Sequence, residues 1–406
     1  MENRSVKIVI SGWYGKFNAG DDAILDVFIK ESLARLNCNM TVLSEAPQCI
    51  APLPGVHARY HLIIFSWSLL QKIFNGKLFR YLAEIQHADL FVLGGGGLLR
   101  DNTNWRNLLR LLDEIWFAKL FGKKTMLYAI GVGPFKTRLG KWLIGLSVKY
   151  CDLITVRSEQ CASLLRDIGV KPERIHVVAD PAFLLKSQVP NDPNLLTLFE
   201  GRTKVGFYPT LALLRWSHDD AHLKRFAAAL DALVESEGIE IVAMPMSVLD
   251  DGFDDVMTAR TIQAAMKHPE AMQIYDKRLT APELKWATSQ AIMNITVRLH
   301  AMIFSLGCDV PVIAVNYEPK VGHVFAEFRA PECMVEIDDE LEATLAAACR
   351  NCLRNLDTYV AQIRAKRVAT TAAAARTFDL MASLCKTGNV IGTAVGTGYR
   401  GNASID

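Results

Sequence analysis

Residues 295–320 read ITVRLHAMIFSLGCDVPVIAVNYEPK. An apolar run, Ala291 to Val297, turns at Arg298 into a stretch of helical character that starts near Leu299. A Gly-Cys-Asp turn follows, and a second apolar run, Val310 to Val315, ends in Asn316-Tyr317-Glu318-Pro319-Lys320. The pattern predicts strand, helix and parallel strand, with charged groups at the carboxyl ends of both strands. Open α/β sheets bind ligands at those ends. The first turn of a helix has N–H groups without helical partners and the positive end of a dipole, so it suits an anion. Arg298 adds a planar fork for carboxylate or phosphate, and His300 a group that carries a proton near neutral pH. The stretch reads as an anion site with a proton donor built in.

The chain around it has 406 residues, half of them hydrophobic, which favours two domains over one. A net charge of only +2 gives no field that would argue for nucleic acid. No apolar run approaches the ~18 residues needed to span a bilayer. The opening MENRSVKIVISG enters a strand at once and lacks a signal-peptide layout, so a cytoplasmic protein is expected. Nine scattered cysteines fit reduced thiols. Cys349 and Cys352 form a lone CxxC in an Ala/Leu-rich helical stretch, where they read as small residues on a helix rather than a redox site.

Short apolar strands alternate with helices from the start. Val6 to Ser11 leads into Gly12-Trp13-Tyr14-Gly15-Lys16-Phe17-Asn18-Ala19-Gly20-Asp21-Asp22, and a helix follows with Asp21 as the expected N-cap. The glycines at 12, 15 and 20 do not fit G-x-G-x-x-G. The loop is therefore either a tight turn or a set of N–H groups with Asn18 facing a ligand. Ala88 to Leu93 runs into Gly94-Gly95-Gly96-Gly97-Leu98-Leu99-Arg100-Asp101, where glycines let backbone and ligand approach closely. Leu153 to Val156 ends in Arg157. The alternation predicts an α/β protein with doubly wound parallel sheets. We expect a first Rossmann-like domain over 1–187, a Pro-containing polar linker over 188–202, a second Rossmann-like domain over 203–385, and a Gly/Thr/Asn-rich disordered tail over 386–406.

Two weaker patterns stand apart. His218 and His222 have i, i+4 metal-ligand spacing but lack the Glu of H-E-x-x-H, so a solvated helix start is favoured and no metal is expected. Residues 136–149 (KTRLGKWLIGLSVK) and 62–79 mix Lys or Arg with aromatic and aliphatic residues. Both fit half-buried helices, or a face resting on anionic lipid.

Together the motifs resemble those of bacterial polysaccharide pyruvyl transferases. The matching pieces are GWYGKFNAGDDAIL at 12–25, GGGGLLRD at 94–101, AIGVGPF at 129–135, ITVRSEQCASLLRDIGV at 154–170, VADPAFLL at 178–185 and VRLHAMIFSLGCDVPVIAVNYEPKV at 297–321. The resemblance implies a GT-B-like fold, with two Rossmann-like domains facing a cleft. It implies transfer of the enolpyruvyl carbons of phosphoenolpyruvate to two hydroxyls of a sugar, giving a cyclic ketal and phosphate. Phosphoenolpyruvate is then a co-substrate, and no cofactor is expected. The family's Arg-Leu-His motif falls on Arg298, Leu299 and His300, its arginine after the "SV" strand on Arg157, and the lysine of its Asp/Glu-Pro-Lys turn on Lys320. Ser158 stands where an acid is frequent, and Glu318 replaces a common Asp.

The chemistry agrees with the residues. Phosphoenolpyruvate carries two anionic groups close together, and Arg298, Arg157 and Lys320 are the offered cations. Ketal formation requires protonation of the methylene carbon, and His300 is the expected acid. By elimination the acceptor glycan, lipid-linked or free, falls to the first domain, with Asn18, Gly20, Asp21, Gly95, Gly96 and Asp101 as candidates and Glu318 beside them. A lipid-linked acceptor would place the protein at the inner face of the plasma membrane and give the basic aromatic helices a purpose. The rivals are a GT-B glycosyltransferase using a nucleotide sugar, and a non-catalytic carbohydrate-binding relative. Against the first, Glu318 and Glu327 are nine apart rather than the eight found in many such enzymes.

Overall fold

The computed structural model describes residues 4–50, 52–61, 77–101, 105–201, 203–213, 221–249, 254–316, 328 and 331–386. The elements run β1 (Val6–Ser11), α1 (Ala19–Arg35), β2 (Cys38–Ser44), β3 (Val56–Tyr60), α2 (Lys77–His87), β4 (Leu90–Leu93), β5 (Gly96–Leu99), α3 (Trp105–Leu120), β6 (Lys124–Val132), α4 (Arg138–Lys149), β7 (Leu153–Val156), α5 (Glu159–Asp167) and β8 (Ile175–Val177). They continue α6 (Pro193–Thr197), β9 (Lys204–Tyr208), α7 (Ala221–Glu237), β10 (Glu240–Ala243), α8 (Asp255–Ala265), β11 (Met272–Ile274), α9 (Ala281–Gln290), β12 (Met293–Thr296), α10 (Leu299–Gly307), β13 (Val312–Asn316), β14 (Met334–Glu336), α11 (Leu341–Arg354) and α12 (Leu356–Lys386).

β1 to β8 form one parallel sheet in the order β3-β2-β1-β4-β6-β7-β8, with β5 joined to β6. β9 to β14 form a second parallel sheet in the order β11-β10-β9-β12-β13-β14. Both are doubly wound, as the alternation of elements predicts. In each, the chain reverses direction beside its first strand, between β1 and β4 and between β9 and β12. A crevice opens at the carboxyl ends of strands at such a point. A strand covered on both faces reads as an unbroken apolar run, as Leu90–Leu93 does, and Met293–Thr296 is also buried at every position, with Asn294 donating to the Thr288 carbonyl and Ser305 Oγ.

The two sheets share a core. One continuous apolar cluster joins Ile8, Ile10 and Val92 of the first sheet to Phe207, Ile295 and Ile303 of the second half. The long C-terminal helix, α12, helps to build it. Tyr359 and Ile363 lie in its first half, while Phe378 packs against both Phe28 and Tyr128, at 6.3 and 5.6 Å between ring centres. Thr377 Oγ1 lies 3.2 Å from Thr155 Oγ1 on β7, and Lys124 Nζ donates to the Leu384 carbonyl. The end of the stretch expected in the second domain thus packs on the first sheet. Residues 188–202, expected as a linker, are also anchored. Leu195 is fully buried, Gln188 N donates to the Pro282 carbonyl, and Phe199 meets Trp286 edge-on.

Other expectations meet the structure in detail. The N-cap of α1 is Asn18, whose side chain accepts from Gly20 N; Asp21 lies inside the first turn. Asn18, three residues earlier and with extended backbone, caps instead, so the helix begins before Asp21 is reached. Cys349 and Cys352 are buried on α11, in keeping with the helical reading. His218, Glu318, Lys320, the stretch 62–76 and the tail from 387 lie outside the described residues.

Candidate active site

β12 ends at Thr296, and Thr296 Oγ1 accepts from Arg298 N at 2.8 Å, which turns the chain into α10. Arg298 is the N-cap of α10 with extended backbone, and its side chain does not cap the helix. The side chain instead donates through Nη2 to Asp255, which is completely buried at the start of α8. Asp255 also accepts from Leu211 N, Met246 N and Ser247 N, so one carboxylate holds Arg298 and the loops after β9 and β10. A carboxylate with three amide donors and a guanidinium orients its partner firmly. His300 follows in the first turn of α10, with its side chain 13% exposed.

The other wall comes from the first sheet. Arg157 follows β7 and is 7% exposed, and its Nη1 donates to Asp180 Oδ2 at 3.1 Å. Asp180 is itself buried and accepts from Ala182 N. The same Oδ2 lies 3.8 Å from His300 Nε2, so one carboxylate of the first half faces both an arginine of its own sheet and the histidine of the other. The walls are stitched at the start of α1. Ala19 N donates to the Met246 carbonyl, and Asn18 bridges Ser247.

Between the walls is a cleft of about 270 Å³ lined by Trp13, Asn18, Asp21, Gly97, Leu98, Arg100, Asn107, Leu108, Leu111, Arg157, Met246, Arg298, Leu299 and His300. Arg157, Arg298 and Arg100 bring three guanidiniums to it. Buried carboxylates orient the first two. The arrangement can hold a compact dianion against the first turn of α10 and set an imidazole beside it.

The structure thus brings together Asn18, Asp21, Arg157, Arg298, Leu299 and His300. Gly20 sits behind the histidine, where a β-carbon would fall 2.1 Å from His300 Nδ1. The glycine run behaves differently from a ligand cradle. A β-carbon on Gly95 would lie 2.9 Å from Ile24, and one on Gly96, at φ +94°, would lie 2.8 Å from Asp21 Oδ1. Those glycines admit α1, and Gly97 is the member of the run that lines the cleft. Asp101, expected as a loop ligand, does not line it. Its carboxylate accepts from Lys136 N, Thr137 N and Thr137 Oγ1 and so ties β5 to the start of α4. Burial pushes the Asp101 carboxyl up, but the Thr137 hydroxyl and the backbone amides outweigh it and hold it below the usual range. Sequence reading missed Asp180, Asp255, Trp13, Arg100 and Asn107. The Asp-Pro after β8 and the Asp-Asp before α8 are the local signals that could have marked the two carboxylates.

A buried polar cluster supports the wall that carries Trp13 and Leu108. Glu114 on α3 accepts from Ser11 Oγ at the end of β1 and from Tyr81 Oη at 2.6 Å. Arg110 Nη1 and the His61 ring lie alongside, and His61 Nε2 is 3.2 Å from the Gly12 carbonyl. Burial lowers the His61 pKa, so we take its ring as neutral at pH 7 and the Glu114 charge as balanced by Arg110.

Fold and cleft define a two-sheet, GT-B-like α/β protein with three arginines and a histidine lining a cleft between its halves. The polysaccharide pyruvyl transferase family model matches residues 12–319, and the chain belongs to that family of transferases in polysaccharide biosynthesis. It is 22% identical over 304 residues to the amylovoran biosynthesis protein AmsJ of Erwinia amylovora, covering 71% of this chain and 70% of that one. Among solved structures it is similar to a putative UDP-N-acetylglucosamine 2-epimerase from Listeria monocytogenes (TM-score 0.61, 13% identity, 92% of this chain and 94% of that one). It is also similar to Anabaena Alr3699/HepE in complex with UDP (TM-score 0.59, 11% identity, 94% of this chain and all of that one). At such identities the solved structures speak to the fold alone.

Proposed function

We propose that this protein transfers the enolpyruvyl carbons of phosphoenolpyruvate to two hydroxyls of one sugar in an exopolysaccharide or its lipid-linked precursor. One observation carries the reading: Arg157 of the first half and Arg298 and His300 of the second converge on one cleft. Phosphoenolpyruvate needs cations for its carboxylate and its phosphate, and the cleft offers Arg157, Arg298 and Arg100. His300 donates a proton to the methylene carbon as the first sugar hydroxyl adds to C2. The C2–O bond to phosphate then breaks, the second hydroxyl adds to C2, and the two hydroxyl protons are accounted for by the new methyl group and the departing phosphate. Asp180 favours the positive imidazolium that donates that proton. The acceptor lies against Trp13, Asn18, Asp21 and Asn107, and the reaction belongs to the cytoplasmic side, where phosphoenolpyruvate is made.

The test supplies phosphoenolpyruvate and a panel of glycan acceptors, and follows phosphate release and a mass gain of pyruvate minus water. His300→Ala is expected to abolish release while keeping the fold, and Arg298→Ala to weaken phosphoenolpyruvate binding. A nucleotide sugar that raises the melting temperature where phosphoenolpyruvate does not would replace this reading with glycosyl transfer.

A further inference from the structure

One surface remains that the transfer chemistry does not use. Residues 133–150 contain four cations, Lys136, Arg138, Lys141 and Lys149, and no Asp or Glu. All four are exposed. Their neighbours on α4 are Leu139 at 58% exposure and Trp142 at 61%, with Tyr150 at 53% just beyond. At 100° per residue, Arg138, Leu139, Trp142 and Lys149 fall within an arc of roughly 100° on one side of the helix. Ile144 and Val148 on the opposite side are buried in the first domain. The apolar surface continues onto α3, where Trp116 lies 5.4 Å from Tyr150 between ring centres and Leu120 is 76% exposed.

Large apolar side chains held out to solvent mark an interaction site. Residues 133–150 surround them with cations and hold no carboxylate, and among the described residues none of the four cations is ion-paired. By contrast, Lys119 on α3 is neutralised by Asp152. A protein partner would suit mixed charge around an aromatic centre. A stripe of Trp and Leu bordered by unpaired cations complements an anionic lipid surface.

We propose that the exposed face of α4, centred on Trp142 and Leu139 and bordered by Lys136, Arg138, Lys141 and Lys149, docks on an anionic lipid bilayer. This deepens the transfer reading by naming the surface on which a lipid-linked acceptor would be met, and rests on that reading only for the acceptor. Its position fits. Asp101 anchors the residues that begin α4, and Arg100, one residue before it, lines the cleft. The docking face therefore starts beside the cleft mouth. Trp142 and Leu139 enter the headgroup boundary while the cations stay at the phosphate level.

The experiment is co-sedimentation of the full chain with vesicles containing phosphatidylglycerol and with vesicles of phosphatidylcholine alone. The protein is expected to bind the first set and to be released by salt. Each cation contributes about fivefold in affinity near such a surface. Reversing Arg138 and Lys141 to Glu should therefore weaken binding well over tenfold, and Trp142→Ser combined with Leu139→Ser should do the same. Phosphate release with a water-soluble acceptor should be unchanged in both variants. No sedimentation with phosphatidylglycerol vesicles, or binding indifferent to both variants, overturns the proposal. So does a dimer in the ultracentrifuge that dissociates in Trp142→Ser without vesicle binding, which would assign the face to a second copy of the chain. Vesicle binding needs no turnover, so its failure and that of the transfer reading are separately visible.

Discussion

Gly20 and His300 belong to different halves of the chain, yet a side-chain carbon at residue 20 would sit 2.1 Å from the His300 ring. The imidazole is seated against bare backbone at the first turn of α1. Any side chain there pushes the ring away from Asp180 or opens the halves. Gly20→Ala is expected to lower kcat about 100-fold, the scale of a misplacement of about 1 Å, at a stability cost of about 1–3 kcal/mol. Phosphate release and a denaturant midpoint measure the two. Wild-type turnover in Gly20→Ala would show that the ring's seat does not matter.

Asp180→Asn keeps the shape, and an amide oxygen can still receive Ala182 N. The charge facing Arg157 and His300 is lost. We expect kcat to fall about 10- to 100-fold, the range of a general-acid contribution, with the fold intact. A change confined to KM would place Asp180 with binding through Arg157 and remove it from the proton step.

Proton uptake tests His300 directly. The start of α10 disfavours a positive ring, and a bound phosphate favours it. Calorimetry of phosphoenolpyruvate binding in buffers of different ionisation enthalpy is expected to show uptake between pH 6 and 8 that disappears in His300→Ala. Equal heats in all buffers would exclude His300 as the group that protonates.

Asp255 holds Arg298 and three amides while fully buried. Asp255→Asn turns an amide donor toward donors and strips Arg298 of its counter-charge. Breaking a buried pair in this way costs about 3–5 kcal/mol. The same variant should weaken phosphoenolpyruvate binding, because Arg298 loses its orientation. Urea midpoints and ligand-induced shifts in Tm read the two effects, and an unchanged midpoint would mean that the loops after β9 and β10 are held elsewhere.

Asp113, behind the cleft wall, is pushed up to about 8, first by burial and then by the neighbouring Glu114 charge. A folded-state pKa above the unfolded value means that the folded protein binds the extra proton. Stability is therefore retained at and below pH 4 and lost as pH rises from about 4 through about 8. Asp113→Asn should match wild type near pH 4 and melt at higher temperature than wild type at pH 8. Parallel Tm curves for the two proteins would refute the shift.

How much of this was legible depends on the range of the cause. Arg298 and His300 were readable because an apolar strand breaking into a helix is a local pattern, and α10 begins at Leu299, where the pattern put it. Asn18 as N-cap was misread for Asp21 because both residues cap well and only the backbone angle at 18 decides between them. The glycine run was read as open space for a ligand. A run of glycines shows that something comes close, not what. Here it is Ile24 and Asp21 of α1.

By itself the chain's sequence determined the two doubly wound sheets and the arginine and histidine that follow strand ends. Those follow from periodicity, turn chemistry and residue type, all set within a few neighbours. Tertiary structure alone decided that Asp180 would face His300, that Asp255 would hold Arg298, that Gly20 would seat the imidazole, and that Phe378 would return to the first sheet. Each of these joins residues more than forty positions apart. Their pairing depends on how a shared core sets one sheet against the other, and no local pattern records that.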